Sequence, residues 1–445
     1  MTDQNTFDAI IIGAGPAGST LGGILAKEGI NGAIIERERF PRFQIGESLL
    51  PATVNIFDRL GIHDQVKATC VSKPGGKWYY GDKAIEGLFS FTDNKASFKK
   101  HPHAYMVERA KFDKILLDNC IKLGANVMQE TRVEDVIMDA DRAVGVTIRD
   151  KDGKQSDLHA NMIFDCSGRN AIIGNKVAGR KPNTLKRMAT FAHYEGTAID
   201  SDVRSGWFVG QMIHNGWVWL IPLSENKISV GVVCEVDEYK RITTNPEAFL
   251  DAIVGSNQLL KRGLSEDARR TTKVRVTGNV GFTSENFRGE GWALVGDAAF
   301  FIDPCYSSGV HLAMETAELA ADQFLKCKEA NNYAASQYDG YQSKLKKHEK
   351  IVQQMVDSFY LGTTNSFVRA TTLLSAKSNW ATRKFTTFVG GDFGVNTWFI
   401  SMIEKASTLT DKLGLGRSKK KRLPTVSDLV EDTLDASSTP IESAA

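Results

Sequence analysis

Six residues near the start, Gly13-Ala14-Gly15-Pro16-Ala17-Gly18, leave few folds open to this chain. They lie between an apolar β-rich run at residues 7–12 and a stretch with helical character at about 16–28. A second apolar run follows at 32–36. Gly13 allows the tight strand-to-helix turn, Gly15 lets a pyrophosphate approach the backbone, and Gly18 lets helix and sheet pack closely. The helix N-terminus faces the phosphates. Glu36 closes the second strand, where a carboxylate would bind a ribose 2′-hydroxyl. The pattern predicts a βαβ dinucleotide-binding unit that begins almost at the first residue.

At 445 residues the chain is expected to form two packed domains, or one large domain with an insertion. Its 55 basic and 53 acidic residues leave a net charge of +2, which gives no case for a nucleic-acid partner. No apolar run is long enough to span a bilayer. The opening residues are acidic and lack the basic region of a secretory signal. Six cysteines, Cys70, Cys120, Cys166, Cys234, Cys305 and Cys327, show no metal-ligand spacing, so a cytoplasmic protein with reduced thiols and no metal site is expected.

Further along, helices are read at about 109–123 and 309–328, and strand-like aromatic segments between 187 and 235. Residues 224–226 make the last two of these an antiparallel hairpin. The expected division is a nucleotide domain at 1–186 with inserted strands near 65–105, an antiparallel sheet domain at 187–285, and a return to the first domain at 286–330. A helical region at 331–415 follows. Residues 416–445, a basic run (417–422) and then a polar stretch, are expected to be flexible or loosely docked.

Gly296-Asp297-Ala298-Ala299 follows the strand-like residues 292–295, and Asp303-Pro304 comes next. With Arg109, Phe112 and Asp113, and with Asp165-Cys166-Ser167-Gly168, this order of motifs resembles flavoproteins of the aromatic-hydroxylase type. The resemblance implies an α/β, Rossmann-type FAD-binding domain of the p-hydroxybenzoate hydroxylase-like kind, with an antiparallel β-sheet substrate domain and a helical C-terminal extension. Carried over position by position, it implies that Gly13, Gly15, Ala17, Gly18, Glu36, Arg37, Ser48, Arg109, Val133, Asp297, Pro304, Gly309 and Val310 bind FAD.

Trp217-Val218-Trp219-Leu220-Ile221-Pro222 narrows the family. On a strand, Trp217, Trp219 and Ile221 share a face, which alone would describe two core tryptophans. Beside the other motifs the string resembles the WxWxIP signature of flavin-dependent halogenases, over roughly residues 5–330. That resemblance implies that the indoles line a passage beside the flavin. It also implies that Lys73, in Ser72-Lys73-Pro74-Gly75-Gly76-Lys77-Trp78, is the amine that holds the halogen; Lys77 is the competitor. Halide is implied at Ser308 and Gly309. Tyr306 stands where the branch acting on free tryptophan has Glu, which points to the phenol and pyrrole branch. Overall the sequence resembles the pyrrolyl-carrier-protein halogenases, including the brominating type of marine bacteria.

The implied reaction takes FADH2 from a separate flavin reductase, and O2 then gives a C4a-hydroperoxyflavin. Halide attack on it yields hypohalous acid, which passes to Lys73 for electrophilic substitution of an electron-rich ring. Trp78, Tyr79, Tyr80, Phe300, Phe301 and Tyr306 are candidate walls for that ring. An acidic acyl-carrier protein bearing a pyrrolyl thioester is the implied partner, with the basic runs 344–350 and 417–422 as docking faces; solvated surface is the plainer reading of both. An aromatic hydroxylase, a flavoprotein of the geranylgeranyl-reductase type, and a non-catalytic flavin-binding partner remain as alternatives.

Overall fold

The computed structural model describes residues 5–80, 83–93, 98, 100–183, 186–198, 202–242, 245–278, 281–360, 379–393, 405 and 423–434. The chain divides into two compact units.

The first unit gathers residues 1–70, 107–183 and 281–353. The main path of its central sheet runs Arg288–Gly289, Trp292–Leu294, Gln155–Asp165, Thr6–Ile12, Gly32–Ile35, Asn126–Met128, along which all neighbours but the first pair are parallel; off it, Arg142–Arg149 pairs antiparallel with Gln155–Asp165 and with Arg132–Asp139. Strands covered on both faces should be apolar throughout rather than alternating, and Ala9, Ile10 and Ile11 are fully buried. Ile12 is in register with Asp165, and Asp165 with Leu294, so three strands end at one level. The helix Pro16–Lys27 packs against the helix Gly309–Glu329. Gly296 has φ +62°, which favours glycine, and a Cβ there would crowd Ala313 Cα at 3.1 Å and Ala17 Cβ at 3.3 Å.

The second unit gathers residues 71–106, 184–280 and 354–445. Its sheet runs Leu264–Arg270, Arg187–Thr197, Lys227–Glu235, Gly216–Pro222, Phe208–Ile213, Gly75–Tyr80, Lys83–Ser90. All neighbours are antiparallel except Phe208–Ile213 with Gly75–Tyr80. Alternation assigns the faces. Val209, Val218, Leu220, Val230 and Val232 bury one face in a core shared with Phe249, Leu250, Ile253 and Leu260. Trp217, Trp219 and Ile221 occupy the other.

The strands near 65–105 thus belong to the second unit and not to the nucleotide domain. The parallel pairing of Gly75–Tyr80 with Phe208–Ile213, at long sequence separation, draws them there. The expected flexible end also needs correction. Residues 423–434 contain the helix Val426–Leu434, with Val426 and Val430 buried in the second unit's core. Val426 and Val430 are four residues apart and share a helix face. Thr425 Oγ1 accepts from Asp428 N at 3.0 Å and Asp428 Oδ2 accepts from Thr425 N at 2.7 Å, a reciprocal cap. His214 N donates to the Pro424 carbonyl at 2.9 Å, and Val426 N to Glu238 Oε1 at 3.2 Å. The basic run 417–422 lies outside the described residues. No described helix is long and apolar enough to cross a membrane.

Truncation after residue 422 is expected to destabilise the second unit by about 3 kcal/mol, the burial of two valines. Differential scanning calorimetry of the full and truncated chains checks this; an unchanged melting profile would show that the helix contributes nothing to the core.

Candidate functional site

The three parallel strands that end together carry the fingerprint loop, Asp165–Gly168 and Gly296–Ala298 on consecutive turns, at the edge where doubly wound sheets bind ligands. The three fingerprint glycines differ in their surroundings. Gly13 has φ +98°, and a Cβ there would stand 2.7 Å from the Cys166 carbonyl oxygen. A Cβ on Gly18 would overlap the Gly13 carbonyl oxygen at 1.8 Å. At Gly15 a Cβ would meet only Arg42 Nη2, at 3.5 Å, so this position at the helix start faces open space. Glu36 is buried and accepts from Ala14 N and Glu38 N, each at 2.8 Å. Thr131 N donates to the Glu36 carbonyl, which brings up the strand carrying the buried Val133. Arg37 is half-exposed and reaches Glu38 at 3.4 Å.

Asp113, with no exposed surface, accepts from Nε and Nη2 of Arg109 at 2.7 and 2.9 Å and from Arg42 Nη1 at 3.0 Å. Arg109 also donates to the Ile45 carbonyl beside Gly46, whose φ is +103°. Asp165 is fully buried and accepts from Ser167 N and Oγ and from Ile173 N; burial nonetheless raises its pKa. Burial likewise lifts Asp297 to about 6, opposed by the charges of Arg169 and Arg109.

Pro304–Tyr306 form a short turn, Ser307 adopts φ +57°, and the helix Gly309–Glu329 begins. Its first intrahelical bond is Leu312 N to the Ser308 carbonyl, so the N–H groups of Gly309, Val310 and His311 precede the ladder. No side chain caps this end and no acid sits in its first turn. Ser48 is buried at 3.1 Å from Ser307 Oγ. Val310 is buried, and the Phe301 ring lies 3.3 Å from where a Gly309 Cβ would stand. Phe300 is different: it stacks on Phe287 in the interior and forms no wall. Burial raises the Tyr306 hydroxyl well above the ordinary phenol range.

In the second unit the two candidate lysines separate clearly. Lys77 is partly exposed, ion-paired to Asp202 at 2.6 Å, and Asp202 also accepts from Tyr79 Oη at 3.0 Å. Lys73 ends a short strand, Val71–Lys73, paired with Ala104–Met106, and is only 4 % exposed. Its Nζ lies 5.5 Å from the Phe91 ring centroid, and burial lowers its pKa to about 7.

The tryptophans stand in a cross-strand row, Trp78–Gly210–Trp219–Gly231–Phe191, in which large rings alternate with glycines. A Cβ on Gly210 would strike Trp78 at 2.8 Å and one on Gly231 would strike Trp219 at 2.2 Å, so the indoles lie flat over glycine backbone. Trp217 sits 5.4 Å from Trp219 and 5.7 Å from Trp78, centroid to centroid. Trp217 Nε1 donates to Tyr360 Oη at 2.9 Å and Trp219 Nε1 to Ser229 Oγ at 3.2 Å. The Tyr80 side chain lies outside the described part.

The FAD binding domain family profile matches residues 6–356. The 1H-pyrrole-2-carbonyl peptidyl-carrier protein chlorinase of Pseudomonas fluorescens is 30% identical over 383 residues, 81% of this chain and 84% of that one. The corresponding brominase of Pseudoalteromonas luteoviolacea is 28% identical over 368 residues, 81% and 87% of the two chains. The solved myxobacterial chondrochloren halogenase CndH, an FAD-dependent halogenase, superposes with TM-score 0.73 at 30% identity over 91% of this chain and 97% of that one. This chain belongs to the flavin-dependent halogenases. Its cofactor is FAD, with halide and O2 as co-substrates.

The halogenase's own residues fit that cofactor. Of the fingerprint glycines, Gly15 alone faces open space, at an N-terminal helix end beside a guanidinium, as a diphosphate requires. Sequence reasoning missed Arg42, Gly46 and Arg169. Local spacing sets none of them apart; their partners Asp113, Arg109 and Asp297 are distant in sequence.

Two expectations follow from the contrasts among glycines and between lysines. Gly15→Val should fold normally yet purify without flavin absorbance, whereas Gly18→Val should lose both fold and flavin. Lys73 binds its proton up to pH 10.5 when unfolded but only to about 7 when folded. The unfolded state therefore holds more protons between those values; stability rises with pH across that window, and the full penalty applies below it. Lys73→Met should be more stable than the parent by on the order of 4 kcal/mol at neutral pH, with the gain vanishing above pH 10.5. Urea unfolding at both ends of the window measures it, and equal stabilities at pH 7 would contradict a desolvated amine.

Proposed function

We propose that this halogenase chlorinates or brominates an electron-rich ring, a pyrrole held as a thioester on an acyl-carrier protein, with Lys73 as the residue that delivers the halogen. The observation that carries this reading is the buried amine with its pKa near 7. The substrate class is supported by the similarity to the pyrrole-2-carbonyl carrier-protein chlorinase and brominase and by Tyr306 in place of a carboxylate. FADH2 reaches the enzyme from a separate reductase by diffusion. When bound, reduced flavin with O2 and halide supplies hypohalous acid.

The roles of the chain's residues follow from their chemistry. Gly13, Gly15, Ala17 and Gly18 present the helix start to the diphosphate, and Glu36 holds a ribose, flanked by Arg37 and Val133. Ser48, Arg109, Asp297, Pro304 and Val310 seat the remainder of the cofactor. The N–H groups at Ser308 and Gly309 hold the halide, as an uncapped helix start favours an anion. In the second unit Trp217, Trp219 and Trp78 exclude water and line the way to the ring, and in the first unit Phe301 and Tyr306 flank the halide position.

Free hypohalous acid would halogenate any exposed ring, so selectivity needs it held at one point. A neutral Lys73 amine does this by hydrogen-bonding the acid or by exchanging an N–H bond for an N–halogen bond with release of water. In the second case the ring then attacks the halogen, the N–halogen bond breaks, the ring loses its proton, and the nitrogen regains one. An ammonium has no lone pair for that exchange. Halogenation through the haloamine is therefore expected to fall about tenfold per unit below pH 7 while flavin reoxidation continues.

The decisive experiment incubates the protein with FAD, a flavin reductase, NADH and either bromide or chloride. A simple phenol or a pyrrolyl-carrier thioester is offered, and mass spectrometry finds the product. Lys73→Ala should retain FAD binding and flavin reoxidation but yield no halogenated product; normal halogenation by this variant would remove Lys73 from the mechanism. Hydroxylated product without halogen from the parent enzyme would overturn the reading as a whole.

A further inference from the structure

The helix Asn379–Val389 in the second unit has two unlike faces. Phe385, Phe388 and Val389 are buried, whereas Trp380 is 46 % exposed and Arg383 and Lys384 are exposed beside it. Positions 380, 383 and 384 are spaced i, i+3, i+4, so an indole and two cations stand together on one surface. Trp380 is the only aromatic among the exposed large hydrophobic residues of the described chain. Between Asp357 and Asp392 the sequence contains no acidic residue and four cations, Arg369, Lys377, Arg383 and Lys384.

Packing links this helix to the proposed relay. It lies on the strand Lys83–Ser90. Gly390, just past its end, meets the Phe98 ring so closely that a Cβ would stand 2.1 Å from it. Phe98 packs edge-on against Phe91 at 5.6 Å, and Phe91 offers its ring to Lys73 Nζ. The basic run 344–350 is a poorer candidate, because Lys346 is bound to the Ser284 carbonyl and Glu349 and covers Phe287, while Lys344 approaches Glu315.

We propose that the Trp380–Arg383–Lys384 face is where the acidic carrier protein docks, with Trp380 as the apolar anchor and the two cations meeting its carboxylates. The inference rests on the carrier-bound substrate reading and names the surface that serves it. Tryptophan and arginine are the residues that most often dominate such contacts, and opposite charge steers the encounter. Docking there places the carrier on an element packed through Phe98 and Phe91 to Lys73.

The test compares one acyl group on two handles: pyrrole-2-carbonyl on a holo carrier protein, and the same acyl group on N-acetylcysteamine. Trp380→Ala and the double variant Arg383→Glu/Lys384→Glu should each raise KM for the carrier-bound substrate about tenfold or more, with kcat little changed. Turnover of the N-acetylcysteamine thioester should stay at the parent level, which also shows that the variants are folded. KM of the parent for the carrier substrate should rise with ionic strength set by a non-halide salt, and that slope should flatten in the double variant. Unchanged carrier KM, or equal losses on both handles, would overturn the docking surface while leaving the carrier reading intact. A parent enzyme that halogenates the small thioester but refuses the carrier-bound one would overturn the carrier reading itself.

Discussion

The first unit depends on a buried carboxylate with two cations. Asp113 has no exposed surface, and a carboxylate so placed is tolerable only when its charge and lone pairs are met. Arg109, one helical turn further back, meets it with two parallel bonds, and Arg42 arrives from a loop far away in sequence. Two cations against one anion leave a net positive charge, and the Arg42 guanidinium comes within 3.5 Å of the position a Gly15 Cβ would take. The same cluster that anchors the loop at Ile45–Gly46 therefore leaves positive charge beside the fingerprint turn, the place proposed for the cofactor's diphosphate.

The second unit answers a different constraint, that of laying three indoles on a sheet. Trp78 and Trp219 are each paired across the strands with a glycine, and the absent side chain is the space the indole fills, while Trp217 packs against both rings. Trp217 and Trp219 direct their N–H groups to Tyr360 and Ser229, so both indoles are buried without leaving those donors unmet. The opposite face carries the aliphatic core that the helix Val426–Leu434 completes. Lys73 runs against this economy of burial. Its desolvated amine lowers stability over the neutral range, and the same desolvation leaves a lone pair available near pH 7. A buried amine that costs stability in this way is the observation on which the proposed role of Lys73 rests.

Much of this was legible in the chain. The fingerprint turn, the strand Gly216–Pro222 with its two tryptophans on one face, and the helix from Gly309 are all set by short-range spacing, and each stands where spacing puts it. The capped helix at 426–434 was legible too, in Thr425-x-x-Asp428 overlapping the pair Val426 and Val430, but the polar composition around it masked the signal.

The sequence by itself determined most of the element types and the flavoprotein motifs, because turns, helix starts and strand alternation follow from neighbours in the chain. Only the tertiary structure decided which lysine is the buried amine and which is a paired surface charge, although they are four residues apart. It also decided that residues 71–106 join the second unit and that Arg42 joins Asp113. Burial, desolvation and ion pairing are set by residues that meet only once the chain has folded, and no local spacing encodes them.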